Sequence, residues 1–353
     1  MPRYYTLKRT KKTDRDRTIN NLLSLRKSLK KEIPERTADE TLLLATWNIR
    51  DFDSNKFGHG PRLRESFHYI AEIIAAFDLV AVQEVNENIS ALEKVMFLLG
   101  PSWDYISTDK TEGKSGNQER MVFLYDKRKV SFQNIAGEIV LPKGQKIENE
   151  NQFARTPYIV TFQSGWFKFS LCTVHLYYGA SSGKKLQRRI KEIAGIGKFL
   201  AKRAKKEKSN IILLGDFNIV HPEHDTMKGL TKNGFFVPEE LQDTTNMGRD
   251  KYYDQIAFML KKNKLQLGDS EPHAGVYDFY NVLYKPEDYL TYYNIVRSKE
   301  KWDIDDDGNP QTDAGKKKYY TKKWRTFQMS DHLPLWVELK IDFSNEYLNK
   351  INT

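Results

Sequence analysis

The residues able to do chemistry are Asn48 in ATWNIR, Glu84 in VQEV, His175 in TVHLYY, Asp216 and Asn218 in LLGDFN, Asp254 in YYDQIAF, and Asp331 with His332 in MSDHLP. Taken one at a time they are ordinary, because a polar residue after an apolar run is often a cap or a turn former. Taken together they form a kit. Three carboxylates (Glu84, Asp216, Asp331) and the Asn48 amide suit a hard, oxygen-preferring cation such as Mg²⁺ or Mn²⁺. Two histidines with carboxylates in reserve suit proton transfer and the stabilisation of a charged phosphoryl group. In GDFN, Gly215 permits a tight exit from a strand, Asp216 can orient or deprotonate water, and Asn218 can donate to a phosphoryl oxygen. These are the parts of a metal-assisted phosphodiester hydrolysis.

The elements that must carry these residues are legible as short apolar runs. TLLLATW, LVAVQEV, MVFLYD, YIVTF, FSLCTVH, IILLGDF, YDQIAFM and LPLWVELKI read as strands, several delivering a carboxylate or imidazole at one end. In α/β sheets that is where sites are built. Apolar residues at helical spacing predict helices over 18–33, 62–77, 89–99 and 184–207. Residues 1–17 are polar and basic and are expected to be mobile. The chain divides into a basic arm with an amphipathic helix (1–40), one domain (41–343) with an insertion near 285–328, and a tail (344–353).

The net charge of +10 is uneven. Residues 1–36, 184–208 and 316–325 carry +8, +9 and +6, so the remainder stands at −13. An acidic body with basic segments attached fits a metal-using enzyme that acts on a polyanion, although a lysine run is often only a solvated face. No apolar run approaches the roughly 20 residues that span a bilayer, so no membrane insertion is expected. The N-terminal residues show no secretory signal pattern. The single cysteine, Cys172, excludes an intramolecular disulfide framework and a cysteine zinc cluster, and a reducing, cytoplasmic setting is expected.

In this order, NIR, QEV, GDFN and SDHLP resemble the motifs of the endonuclease/exonuclease/phosphatase superfamily, and within it those of the DNase I-like nucleases. QERMVFLYDKRKV, FARTPYIVTF, YDQI and VYDFYNVLY extend the resemblance over about residues 42–341. The resemblance implies a four-layer α/β sandwich, two central mixed sheets flanked by helices, with the site at its mouth. It implies that Glu84, with Asn48 and Asp331 nearby, holds the divalent metal. It implies that His175 backed by Glu119 and His332 backed by Asp254 flank the scissile phosphate. Asp216 and Asn218 would activate water and contact the phosphoryl group, and Arg50 and Arg155 would touch the DNA backbone. Which histidine is acid and which is base stays open.

The departures bear on substrate. Asn86 stands where a groove-contacting Arg is expected, and Asn117 where a sugar-stacking Tyr is expected. The expected activity is that of a DNA endonuclease cutting by attack of water, with an abasic-site endonuclease or exonuclease, or a silent nucleic-acid-binding module, as alternatives. Protein partners are not indicated. In the insertion, Asp303, Asp305 and Asp307 match the first half of a Ca²⁺ loop, but Ala314 stands where its Glu belongs, so the choice is between a Ca²⁺ site and an acidic turn. KKKYYTKKWR reads either as a single-strand nucleic-acid surface or as a lysine-protected edge strand.

Overall fold

The computed structural model describes residues 2–52, 54–111, 118–147, 152–260, 266–296 and 299–352. Its strands, in chain order, are β1 (Thr41–Phe52), β2 (Leu79–Val85), β3 (Trp103–Ser107), β4 (Arg120–Asp126), β5 (Ser131–Glu138), β6 (Tyr158–Ser164), β7 (Phe167–His175), β8 (Ile211–Asp216), β9 (Asp254–Met259), β10 (Ala274–Val276) and β11 (Leu335–Lys340). They form a six-stranded sheet, in the order β10-β11-β1-β2-β4-β3, and a five-stranded sheet, in the order β5-β6-β7-β8-β9. Each sheet is mixed. The β1–β2 and β7–β8 pairs are parallel and the other pairs antiparallel.

Alternation along the strands explains the layering. In β1, Leu42 and Leu44 join the core that also contains the second sheet, while Leu43, Ala45 and Trp47 join the core beneath the helices. Side chains of a strand point alternately to its two faces, so a strand buried on both sides reads as the unbroken apolar run TLLLATW. The helices α1 (Lys12–Glu32), α2 (Arg64–Ala75) and α3 (Ser90–Leu99) cover the first sheet. α4 (Gly183–Glu207) covers the second through Ile193, Ile196 and Leu200. The four layers are therefore helix, sheet, sheet, helix. Farther along lie α5 (Asp225–Thr231), α6 (Tyr289–Ile295), α7 (Glu300–Asp303), α8 (Asp313–Tyr319), α9 (Arg325–Gln328) and α10 (Ser344–Ile351).

Two expectations are corrected here. The residues expected to be mobile are packed: a 3-10 turn spans Tyr5–Arg9, Leu7 is buried, and α1 begins at Lys12. The reason is long-range ion pairing. α2 is buried nearly all round, and its Glu65 and Glu72 meet Arg17 (2.9 Å) and Arg26 (2.7 Å) of α1. Neither is KKKYYTKKWR an edge strand. Residues 313–328 run through α8, a π-helical turn over Tyr320–Trp324, and α9. Tyr320 and Trp324, four residues apart, face the interior, leaving Lys317, Lys318, Lys322 and Lys323 exposed.

Candidate active site

Topology alone gathers the polar residues at one edge of the sandwich. His175 ends β7 and Asp216 ends the parallel β8, so the two are in register. β9 runs the other way, which puts its first residue, Asp254, opposite Asp216. Glu84 lies at the end of β2, and Glu119 just before the antiparallel β4. Asp331 and His332 precede β11, whose first residue, Leu335, pairs with Thr46, two residues before Asn48.

Asp216 is the hub. Its Oδ2 lies 3.6 Å from His175 Nε2, 3.8 Å from His332 Nε2, and accepts a hydrogen bond from Asn48 Nδ2 at 3.1 Å. Its Oδ1 accepts from the Asn218 backbone N–H at 2.9 Å. Each imidazole is backed by a second carboxylate: His175 Nδ1 lies 2.9 Å from Glu119 Oε2, and His332 Nδ1 is hydrogen-bonded to Asp254 Oδ2 at 2.7 Å. Burial works against a charge on His332. The Asp254 and Asp216 carboxylates outweigh it and hold His332 well above the usual imidazole range.

The backbone is bent to aim these groups. Glu84 (φ 61°), Asn218 (φ 54°) and Asp51 (φ 43°) occupy the left-handed region, which costs a non-glycine residue on the order of 1–3 kcal/mol each. Gly215 (φ 125°) cannot be replaced, because a Cβ there would lie 2.1 Å from the Val174 carbonyl oxygen.

The donor set fits a hard divalent cation. Asn48 Oδ1 is buried and has no hydrogen-bond partner among the described residues, so its lone pairs are uncompensated. Glu84 lies close by on the neighbouring strand, its Oε2 steadied by the Asp51 N–H (2.9 Å) and its Oε1 4.0 Å from His175 Nε2. Asp331 is more exposed and pairs with Arg50 (3.1 Å). Among the described residues no three His, Cys, Asp or Glu side chains cluster as a metal site. The amide oxygen of Asn48 adds a neutral hard donor to the carboxylates.

The two arginines are braced. Arg50 donates to Thr326 Oγ1 (2.7 Å) and lies 4.0 Å above the Phe327 ring. Arg155 is paired with Glu119 (2.8 Å), the same carboxylate that backs His175. Asn218 donates its side-chain N–H to the Leu176 carbonyl (3.0 Å). Asn86 turns inward to Asp51 (2.9 Å), and Asn117 lies outside the described residues. The three acids of the Ca²⁺ expectation do not form a metal-binding cluster among the described residues. Asp305 accepts from the Asp307 and Asn309 backbone N–H groups (3.0 and 2.8 Å), and Asp303 accepts from Tyr293 (2.8 Å). That segment is an acidic turn closed by its own backbone, and the Ca²⁺ reading is set aside.

Sequence reasoning missed the residues that hold the frame. Ser330 Oγ donates to the Asn48 carbonyl (2.6 Å) and accepts from the Arg50 and His332 N–H groups (3.1 and 3.0 Å). Arg189, fully buried in α4, donates to the Ala180 (2.7 Å) and Asn218 (2.9 Å) carbonyls and also to Tyr178. Thr245 donates to Asp254 Oδ2 (2.7 Å). Ser330 stands inside the SDHLP motif; the other two carried no local signal.

A family profile described as endonuclease/exonuclease/phosphatase family matches residues 45–253. No curated protein sequence matches the chain. Among solved structures, a humanised D. rerio TDP2 shares 17% identity at TM-score 0.51, covering 85% of this chain and 98% of its own. The human Nocturnin catalytic domain with bound sulfate shares 13% at 0.53, covering 85% and 94%. The Bacteroides thetaiotaomicron mannosyl-6-phosphatase Bt3783 shares 16% at 0.51, covering 84% and 99%. At these identities the likeness concerns the fold, which does not by itself fix the substrate.

Proposed function

The chain belongs to the endonuclease/exonuclease/phosphatase family, a family of phosphoester hydrolases that generally use divalent metals, and from that premise we propose a metal-dependent phosphodiesterase that cuts DNA internally by attack of water. One observation carries the reading: a single carboxylate, Asp216, stands between two imidazoles, each backed by its own acid, beside an uncompensated Asn48 amide oxygen. Asn48 Oδ1 and Glu84, with Asp331, would hold Mg²⁺ or Mn²⁺. When bound, the cation would supply positive charge against the phosphoryl oxygens and the leaving oxygen.

The chain's own groups do the rest. Asp216 accepts the proton of the attacking water, for which it is placed between both imidazoles. His175 and His332 flank the phosphate and offset the charge that grows on it. The second amide hydrogen of Asn218 points a neutral donor at a phosphoryl oxygen, and the hydrogen bond to Leu176 fixes its direction. Arg50, immobilised by Thr326 and Phe327, presents a fixed cation to the backbone next to the scissile bond. The basic surfaces of the insertion and of α4 favour a polyanion over a small phosphate ester.

Supercoiled plasmid incubated with Mg²⁺ or Mn²⁺ should be nicked, and EDTA should stop the reaction. Intact plasmid after incubation with folded protein and either metal would overturn the DNA assignment. Faster cutting of abasic than of intact duplex would move it to the abasic-site reading.

A further inference from the structure

The residues that follow the family span build a second surface against the site. Trp302, Tyr320 and Trp324 form the interior of the insertion, with Tyr284 and Tyr292 beneath them. The loop that leaves β1, residues 54–60, rests on its outer side. His59 stacks on Phe327 (4.2 Å, 23°) and its Nδ1 is 2.7 Å from the Tyr319 hydroxyl. Phe57 leans against the same Phe327 ring (5.5 Å) but remains 49% exposed. Lys301 holds the loop by donating to the Phe57 carbonyl (2.6 Å), and Lys56 Nζ lies 5.2 Å from the Phe57 ring.

This surface is continuous with the active site, because Phe327 also supports Arg50, which pairs with Asp331. It is cationic. His59 is pushed down to about 4, first by burial and then by Lys301, Arg50 and Lys323, so its ring stays neutral and stacks. Lys322 and Lys323 continue the positive face along the π-helical turn. The chemistry is an exposed π face on a rigid base, rimmed by cations that face solvent. A base inside a duplex has both faces covered by its neighbours and offers none to such a ring. An unpaired base offers one, and its phosphates meet the lysines.

We propose that Phe57, leaning on the Phe327 ring that His59 also stacks against and flanked by Lys56, Lys301, Lys322 and Lys323, is a stacking platform for an unpaired stretch of polynucleotide leading away from the scissile phosphate on the Arg50–Asp331 side. The inference rests on the phosphodiesterase reading above and adds the form of the strand beside the cut: an unpaired stretch, as offered by frayed, gapped or single-stranded nucleic acid and by the strain-opened segments of a supercoiled plasmid.

The test uses the full chain carrying Asp216→Asn, so that labelled oligonucleotides are bound and not cut, with fluorescence anisotropy on a short single strand and on a blunt duplex of the same sequence. Phe57→Ala should weaken single-strand binding about tenfold, since stacking of a base on an aromatic side chain has that order of effect, while Phe57→Trp keeps it. Lys322→Glu with Lys323→Glu should weaken it too and flatten its salt dependence. The duplex should lose far less in each case. Wild-type single-strand affinity in Phe57→Ala, or equal losses on both oligonucleotides, overturns the platform. Hydrolysis of bis(p-nitrophenyl) phosphate by the unsubstituted chain separates the two failures. If that diester is cut but neither oligonucleotide binds, the platform falls and the phosphodiesterase stands. If it is not cut, the parent reading falls as well.

Discussion

Two imidazole–carboxylate pairs face each other across Asp216, and they are built differently. The Glu119 carboxylate that backs His175 is shared with Arg155, so its charge has a permanent counter-ion. The Asp254 carboxylate that backs His332 is fully buried, and besides His332 its Oδ2 receives the neutral Thr245 hydroxyl. Asp254 therefore depends on His332, its one cationic partner among the described residues, in a medium that does not solvate it, while His332 also has Asp216. The first pair could lose its histidine and keep a satisfied acid. The same functional arrangement is reached once by a network and once by isolation.

Breaking the isolated pair should have the largest effect. Asp254→Asn removes the charge that orients His332, and catalytic turnover on plasmid should fall about 10³-fold, within the range a positioned acid–base group supplies. Near-normal turnover would show that the pair does not serve the reaction. Glu119→Gln should cost less in rate, about tenfold, because His175 keeps its contacts with Asp216 and Glu84. It should cost more in stability, because Arg155 loses its counter-ion in a nearly buried position; thermal unfolding should register about 3 kcal/mol, and adding Arg155→Met should recover much of that without restoring the rate. A larger rate loss in Glu119→Gln than in Asp254→Asn would reverse the comparison. The smallest effect is expected from Thr245→Val, which removes one neutral donor from Asp254: about 1–2 kcal/mol of unfolding free energy by denaturant titration, with turnover reduced less than in either carboxylate variant.

The strands that aim the site were legible because each is an apolar run that ends in a polar residue, as in FSLCTVH and IILLGDF, and both β7 and β8 follow that reading. β3 and β5 were not legible. WDYIS and SFQNIAGE bury little and alternate weakly, so their pairing with β4 and β6 comes from neighbours rather than from their own pattern. Charge was the most misleading signal. Arg189 counted toward the basic surplus of α4, yet it is buried and spends its donors on carbonyls of the loops that carry Tyr178 and Asn218. Arg17 and Arg26 likewise belong to ion pairs with acids more than forty residues away. A local window sees a charge and cannot see its partner. The helical insertion was missed for a related reason: its lysines hide a two-residue apolar seam, Tyr320 and Trp324, that acquires meaning only against Trp302 and Tyr292.

The pairing of β1 with β11 has a consequence for timing. Trp47 donates its indole N–H to the His332 carbonyl, and Ser330 closes on Asn48, across 285 and 282 residues of chain. Contacts of such span are slow to form, because the loop they close must be ordered before they repay its entropy. Until residues 330–340 have docked, β1 has an open edge, the Asn48 carbonyl lacks its bond from Ser330, and His332 is not beside Asp216. A half-folded copy therefore holds only part of the centre. The centre is in this way completed only by the last part of the chain to dock, and a nick anywhere that frees β11 would disarm it.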